Sequence, residues 1–353
     1  VQDQEPVIVP TDGRLADATL VTRGQRTERP TWSQVRSAAD NEHLVWLDVL
    51  APDPEDLHRL ALVFGLPAEM ASDSSRFGQR TRLSDDGGSL LVVMYGVDDD
   101  DRLMELHLYV SGHNVVTVRN GDCPPVRDLG QHSARSVTER TTVAALLSRV
   151  LSALAGTFTE ALERVDEDLT ELEGRILAGA PRVEDLQELM ELRRRVNRFR
   201  RVVEPARDLV GAGRFVMIDA LDDLPDDARR HLRDLAVDLA YVGDHLEAER
   251  DRLSAVMDVY MNRVNIRQND IMKKLAAVST VFLPLTFLTG FFGMNFGFLV
   301  REVIPGRWPF LVLGVGLNLA VAALALWVLR RRGWLWGGDG LAEPPPGRDT
   351  PGR

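Results

Sequence analysis

Residues 275–300 read LAAVSTVFLPLTFLTGFFGMNFGFLV, 26 positions without a charged side chain. At 1.5 Å per residue, a helix of that length crosses a hydrocarbon core about 30 Å thick. A second uncharged run, residues 308–329, follows after a short loop, so the two form a hairpin whose outer ends share one side of the membrane. Lys273 and Lys274 precede the first run, and Arg330, Arg331 and Arg332 follow the second. Basic residues beside a span stay cytoplasmic. The expectation is a multi-pass protein of the inner or plasma membrane with both termini in the cytoplasm.

Outside the hairpin the chain is soluble in character. Charged residues make up 27% of it and the net charge is −11, which argues against a nucleic-acid partner and suits a body that draws cations toward it. Cys123 is the single cysteine, so no disulfide within the chain is expected, in keeping with a reducing compartment. No charged segment followed by an apolar stretch opens the chain, so no secretory signal is expected.

Four β-rich runs alternate with turn signals: HLVWLDVL (43–50), SLLVVMYGV (89–97), MELHLYVS (104–111) and NVVTVRN (114–120). Residues 53–64 are predicted as an intervening helix with Asp53 and Asp56 near its start. The four aspartates at 98–101 fall between two strands and are predicted as a solvated hairpin tip. From about residue 137 the apolar spacing becomes helical, with Leu162, Val165, Leu169, Leu172 and Ile176 at three- and four-residue steps. AGAP (178–181) ends that helix, the next runs from 183 to about 210, and GAGRF (211–215) with Pro225 marks another break. Beyond it one pattern continues over residues 228–293. A helix that long would measure about 100 Å and asks for neighbours, hence for oligomerisation. The expected organisation is an α/β cytosolic domain over 1–130, and a cytosolic helical domain and stalk over 131–274. A transmembrane hairpin over 275–329 follows, with spans 275–294 and 308–329. Residues 330–353 are read as a basic cytosolic end with a Pro/Gly-rich tail expected to be disordered.

Two faces stand out on the long helix. Leu232, Leu235, Leu239, Val242 and Leu246 form an apolar seam for packing against other helices. A second stripe is formed by Asp258, Asn262, Asn265, Asn269, Met272, Ala276, Ser279, Leu283, Thr286, Gly290 and Gly293. It advances by four and three alternately, so all eleven share one face. Small residues at such spacing also mark close helix packing. Packing accounts for Ala276, Ser279, Gly290 and Gly293. It does not account for the Asp and Asn positions before the membrane, nor for Asn295 just past the stripe's end. A symmetric ring of these helices with this face inward makes a pore lined by amide and hydroxyl oxygens. Its acidic ring would lie at Asp258 and its apolar constrictions at Met272 and Leu283. Asn295 then has a task at the mouth. Magnesium gives up its water reluctantly, and a ring of neutral amides accepts hydrogen bonds from the hydration shell without holding the ion as firmly as carboxylates would.

GMN (293–295) followed by Phe296, with FLPLTF (282–287) upstream, resembles the CorA family of divalent-cation channels, whose signature is Gly-Met-Asn. The resemblance covers most of the chain, from the α/β domain through the stalk to the basic end RRRGW (330–334). It implies a CorA-like homopentameric funnel: an α/β cytosolic domain, a long α-helical stalk and a C-terminal two-helix transmembrane hairpin. By resemblance, Gly293, Met294 and Asn295 form the selectivity filter. The family's pore-lining pattern falls on Asn269, Met272, Leu275 or Ala276, Ser279, Leu283, Thr286 and Gly290, with Asp258 at the cytosolic end. The resemblance also implies a regulatory metal site between subunits, using Asp73 (in SDSSRFGQR, 72–80) and Asp234 (in HLRDLA, 231–236). Loss of metal there lets like charges push subunits apart and open the pore. The chain departs from many members in carrying GFLVREVIPG (297–306) in place of an acidic Met-Pro-Glu loop. FLTGFFG (287–293) is similar to the zinc-transporting ZntB branch, although the seven His lack zinc-ligand spacing.

The sequence thus points to a homopentameric magnesium channel that mediates passive influx and is gated by cytosolic divalent ions. Magnesium or another divalent cation is both substrate and regulator, with no cofactor besides. The expected partners are copies of the chain, divalent metal ions and the lipid bilayer. Transport of zinc, cobalt or nickel is the alternative within the same class, and a non-conducting membrane-anchored scaffold is the alternative outside it. An anchor needs no aligned Asn, Ser and Thr. No enzyme is expected, since the chain has no phosphate-cradling Gly loop, zinc-hydrolase helix motif or Gly-x-Ser-x-Gly.

Overall fold

The structure is a computed structural model that describes residues 13–41, 43–133, 141–211, 226–294, 297, 301–302, 308 and 310–331. Asn295, most of the outer loop and the tail after Arg331 lie outside the described residues. The chain divides into two compact units, Val1–Asp258 and Val259–Arg353.

The first unit is built on seven strands: β1 (Ala18–Thr22), β2 (Gln25–Glu28), β3 (Val45–Leu50), β4 (Arg82–Asp85), β5 (Ser89–Val97), β6 (Leu103–Ser111) and β7 (Asn114–Arg119). They lie in the order β2-β1-β3-β7-β6-β5-β4. β3 and β7 run parallel, Trp46 opposite Val115, and the other neighbours are antiparallel. Leu90, Val92 and Met94 point to one face of β5 and Leu91, Val93 and Tyr95 to the other, and all six are buried. Both faces are covered. One carries α1 (Trp32–Ala39), α2 (Pro54–Phe64) and α3 (Ala68–Ser72). The other packs on α4 (Pro124–Ser133), α5 (Val143–Ala178), α6 (Val183–Gly211) and the start of α7 (Asp226–Phe292), with Leu147, Leu151, Leu154, Leu235 and Leu239 in its core.

Local chemistry explains the boundaries. Asp53 caps α2 by accepting from the Asp56 N–H at 2.7 Å. Pro54 opens that helix, and Gly65 closes it at φ +65°. Gly96 sits where α5 crosses β5, and a Cβ there would lie 2.9 Å from Leu154 Cδ2, so only glycine permits the approach. Leu162, Val165, Leu169, Leu172 and Ile176 are all buried along α5, and Phe158 meets Phe199 of α6 edge-on at 5.8 Å. The four leucines and the valine of the α7 seam are buried as well.

One expectation needs correcting. The aspartates at 98–101 do form the β5–β6 tip, and Asp99 and Asp100 are exposed, but Asp101 is not solvated. It takes a left-handed conformation at φ +58° and pairs with Arg164 of α5 at 2.7 Å and Arg195 of α6 at 3.1 Å. The tip is thereby tied to the helical layer.

The second unit holds the rest of α7, a π-helical turn (Phe310–Gly316) and α8 (Leu317–Arg331). Three helices are long and apolar enough to cross a membrane. In α5 the apolar window is 56% buried, whereas the windows in α7 and in residues 311–331 are 6% and 0% buried. α5 is therefore a core helix, and the other two expose apolar surface that water would not tolerate.

Candidate functional site

The stripe read from spacing lies entirely on the surface. Asp258 at the end of the first unit, and Asn262, Asn265, Asn269, Met272, Ala276, Ser279, Leu283, Thr286, Gly290 and Gly293 in the second, are all exposed. Met272 and Leu283 are 59% and 76% exposed, values that an apolar side chain keeps only against lipid, another chain or a narrow pore. The covered positions of α7 within the apolar run are Ala277, Val281, Pro284, Leu285, Leu288 and Phe292. At 100° per residue they centre on the side opposite the stripe. On the second span the half-covered positions Leu313, Gly314, Asn318, Val321, Ala322 and Ala325, with the buried Leu329, also recur at helical spacing. The polar stripe lies within the exposed surface, which also carries Val278, Phe282 and Phe287 beside it.

Its hydrogen bonding suits a wet surface. The Thr286 hydroxyl donates to the Phe282 carbonyl at 2.8 Å, which satisfies its proton and leaves its lone pairs free. Thr280 and Thr289 donate in the same way to Ala276 and Leu285. Pro284 has no N–H to offer the Thr280 carbonyl one turn below. Asn262, Asn265 and Asn269 have no side-chain partner among the described residues. At the far end the Gly293 N–H reaches the Thr289 carbonyl at 2.9 Å, and the Met294 N–H reaches Phe291 at 3.3 Å. A Cβ on residue 293 would stand 2.9 Å from the Thr289 oxygen, so any larger residue must push the backbone aside there. Glycine at 293 lets the chain turn at the position where the expected filter begins. The filter's asparagine, Asn295, lies outside the described residues.

The two acids expected to regulate stand differently. Asp73 begins a short 3-10 turn, and its carboxylate is held by Arg82 at 2.5 Å. Its carbonyl accepts from Gln79 Nε2 at 2.6 Å. Asp234 is exposed on α7 and has no ion pair among the described residues. Among the described residues nothing joins the two. His231 has a partner of its own and so is not a spare ligand beside Asp234. Among the described residues no three His, Cys, Asp or Glu side chains group as a metal would need.

Sequence reasoning passed over the network that holds Asp73's segment. Ser74 Oγ lies 2.7 Å from His107 Nδ1 and 2.6 Å from the Tyr109 hydroxyl, which donates to the Met70 carbonyl. His107 Nε2 donates to Glu105 at 2.9 Å. The same carboxylate accepts the backbone N–H groups of Gly78 and Gln79, and Tyr95 donates to the Gln79 carbonyl. Burial alone would raise the Glu105 pKa, but the hydrogen bonds from His107, Gly78 and Gln79 outweigh it and hold the carboxyl below its usual range. The signal was present as Glu105, His107 and Tyr109 alternating in an apolar strand, polar groups on one buried face that must be paired.

The family model described as CorA-like Mg2+ transporter protein matches residues 41–331. The cobalt/magnesium transport protein CorA of Methanocaldococcus jannaschii is 25% identical over 305 residues, 84% of this chain and 93% of that protein. The magnesium transport protein CorA of Pasteurella multocida is 25% identical over 329 residues, 91% of this chain and 98% of the relative. Among solved structures, the complete CorA magnesium transporter of M. jannaschii superposes with a TM-score of 0.76 at 20% identity, covering 90% of this chain and 99% of that one. Full-length CmaX gives 0.70 at 24% identity over 90% and 97%. The cytoplasmic domain of ZntB from Vibrio parahaemolyticus gives 0.54 at 11%, over 70% of this chain and 99% of that one. These likenesses share the architecture of an α/β domain, long helices and, in the full-length proteins, C-terminal apolar helices.

Proposed function

The chain belongs to the CorA-like Mg2+ transporter family, and from that premise we propose that it is a homopentameric channel for passive magnesium influx. The coarser statement, membrane transport of divalent cations, follows the family and its curated relatives. The finer one rests on a single observation. The exposed stripe from Asn262 to Gly293 lies opposite the covered face of its helix and carries the amide, hydroxyl and glycine positions together. Five copies with that face inward enclose a path of neutral oxygens narrowed at Met272 and Leu283, which would act as dewetting gates. Asn295, with Gly293 and Met294, forms the filter in this reading. No energy source is required, because a divalent ion gains about 4–5 kcal/mol per 100 mV of inside-negative potential.

Regulation at Asp73 and Asp234 belongs to the same reading. Arg82 holds one oxygen of the Asp73 carboxylate, Oδ2, and the other oxygen is the one a metal between subunits would take. Cobalt has a specific claim as a second substrate, since relatives from M. jannaschii and Thermotoga maritima are named as cobalt/magnesium transport proteins.

The test is ion entry into liposomes holding the purified protein at inside-negative voltage, with magnesium and cobalt in parallel and Asn295→Ala alongside. Wild-type flux that the variant loses, or passes without selection, supports a channel filtered at Asn295. An assembled oligomer that passes neither ion shifts the weight to zinc or nickel, or to the anchored scaffold.

A further inference from the structure

Segment 77–80, the β5–β6 pair and α6 border an open groove of about 970 Å³ in the first unit, with Arg80, Arg198 and Arg201 exposed along it. Its walls run against the charge of the molecule as a whole. Arg80, Arg198 and Arg201 all line it, and none has an ion pair or hydrogen bond with another described residue. Their neighbours on α6 behave otherwise: Arg195 pairs with Asp101 and Asp168, Arg200 with Glu204, and Arg207 with Asp244. The carboxylates of the wall do not neutralise the three. Glu204 is paired with Arg200, and Glu105 keeps its charge while accepting from Gly78, Gln79 and His107, so the three guanidiniums face two uncompensated carboxylates, Glu105 and Asp208. In a chain of net charge −11, this is a local excess of positive charge around a concave space. The remainder of the wall is aromatic, apolar or amide, with Phe77, Tyr95, Val202 and Asn120.

Guanidinium forks match phosphate oxygens in pairs, and like charges gathered around one groove are relieved when an anion enters. The volume falls within the range of small-molecule sites, about 300–1,000 Å³. We propose that this groove binds a phosphate-bearing small anion of the nucleoside polyphosphate class. Arg80, Arg198 and Arg201 take the phosphates, and the Phe77 and Asn120 wall takes the nucleoside. The site is distinct from the stripe on α7, and its ligand is an anion rather than the transported ion. Such anions chelate divalent metals, so occupancy would report the chelating pool of the cell to the cytosolic unit.

The experiment is calorimetric titration of the purified full-length protein with ATP, inorganic triphosphate and adenosine. Free magnesium is held constant by a buffer, because two of the probes chelate it. The expected result is saturable binding of ATP and triphosphate and none of adenosine. Arg198→Gln with Arg201→Gln should weaken both by at least 30-fold, and Arg80→Gln on the opposite wall by at least 5-fold. Melting is recorded alongside; should the double variant fail to fold, the Arg80 variant decides. Absence of saturable ATP binding, adenosine binding as tight as ATP, or unchanged affinity in folded arginine variants would each overturn the proposal.

Discussion

Glu105 and His107 lie in a largely apolar strand, and together they pin the loop that carries Asp73. Glu105 has a folded pKa below its ordinary value of 4.5. Its contribution to stability is therefore complete above about pH 4.5 and is lost as pH falls through the folded value. Glu105→Gln removes the charged acceptor and should cost about 3 kcal/mol at neutral pH. In urea titrations the gap between wild type and variant should then narrow on acidification. A gap that stays constant down to pH 3 would show that the carboxylate charge is not what the three donors hold. Such residues were hard to read from sequence, because a polar side chain in a strand gains its meaning from partners distant in the chain. Ser74 is 33 residues from His107. Asp53 needed no such partner: cap, proline and helix are adjacent, and the local pattern sufficed.

At the scale of elements, apolar alternation marked the central strands. It missed β1, β2 and β4, which are short or at the sheet's edges; β2 reads QRTE and buries none of its four residues. It also missed α1, whose eight residues are capped by Thr31 accepting from Gln34 and Gln34 accepting from Thr31 in return. The long helix was legible because its two stripes hold their spacing for many turns. The polar face itself gives a direct test. Ser279 is exposed on it, and Ser279→Leu adds an apolar side chain without touching the covered face. Magnesium flux in liposomes should fall at least tenfold, with expression and oligomer size unchanged. Full conductance would mean that this face lies against lipid or another helix rather than water.

For the whole molecule, the exposed apolar surface of the second unit calls for lipid or another chain, and the pentamer proposed above would place the polar stripe against water. Assembly is where the sequence becomes least informative for side chains that meet across copies, because a stripe's spacing shows a shared face but not which residue of another copy it meets. Asp73 and Asp234 illustrate this, being partnered by Arg82 in one case and by no described residue in the other. If they meet across subunits through metal, Asp234→Ala and Asp73→Ala should each raise influx several-fold when internal magnesium is high. Inhibition that persists unchanged in both variants would remove them as sensors. The order of elements along the chain also bears on how the protein is made. The parallel β3–β7 pair, the most distant closure in the sheet, is complete once Arg119 has emerged, while the apolar run begins only at Leu275. At about 5–20 residues per second, the sheet has several seconds to close before any membrane-seeking segment leaves the ribosome. Biogenesis therefore favours a sheet already closed before the apolar run emerges, with membrane insertion as a late step.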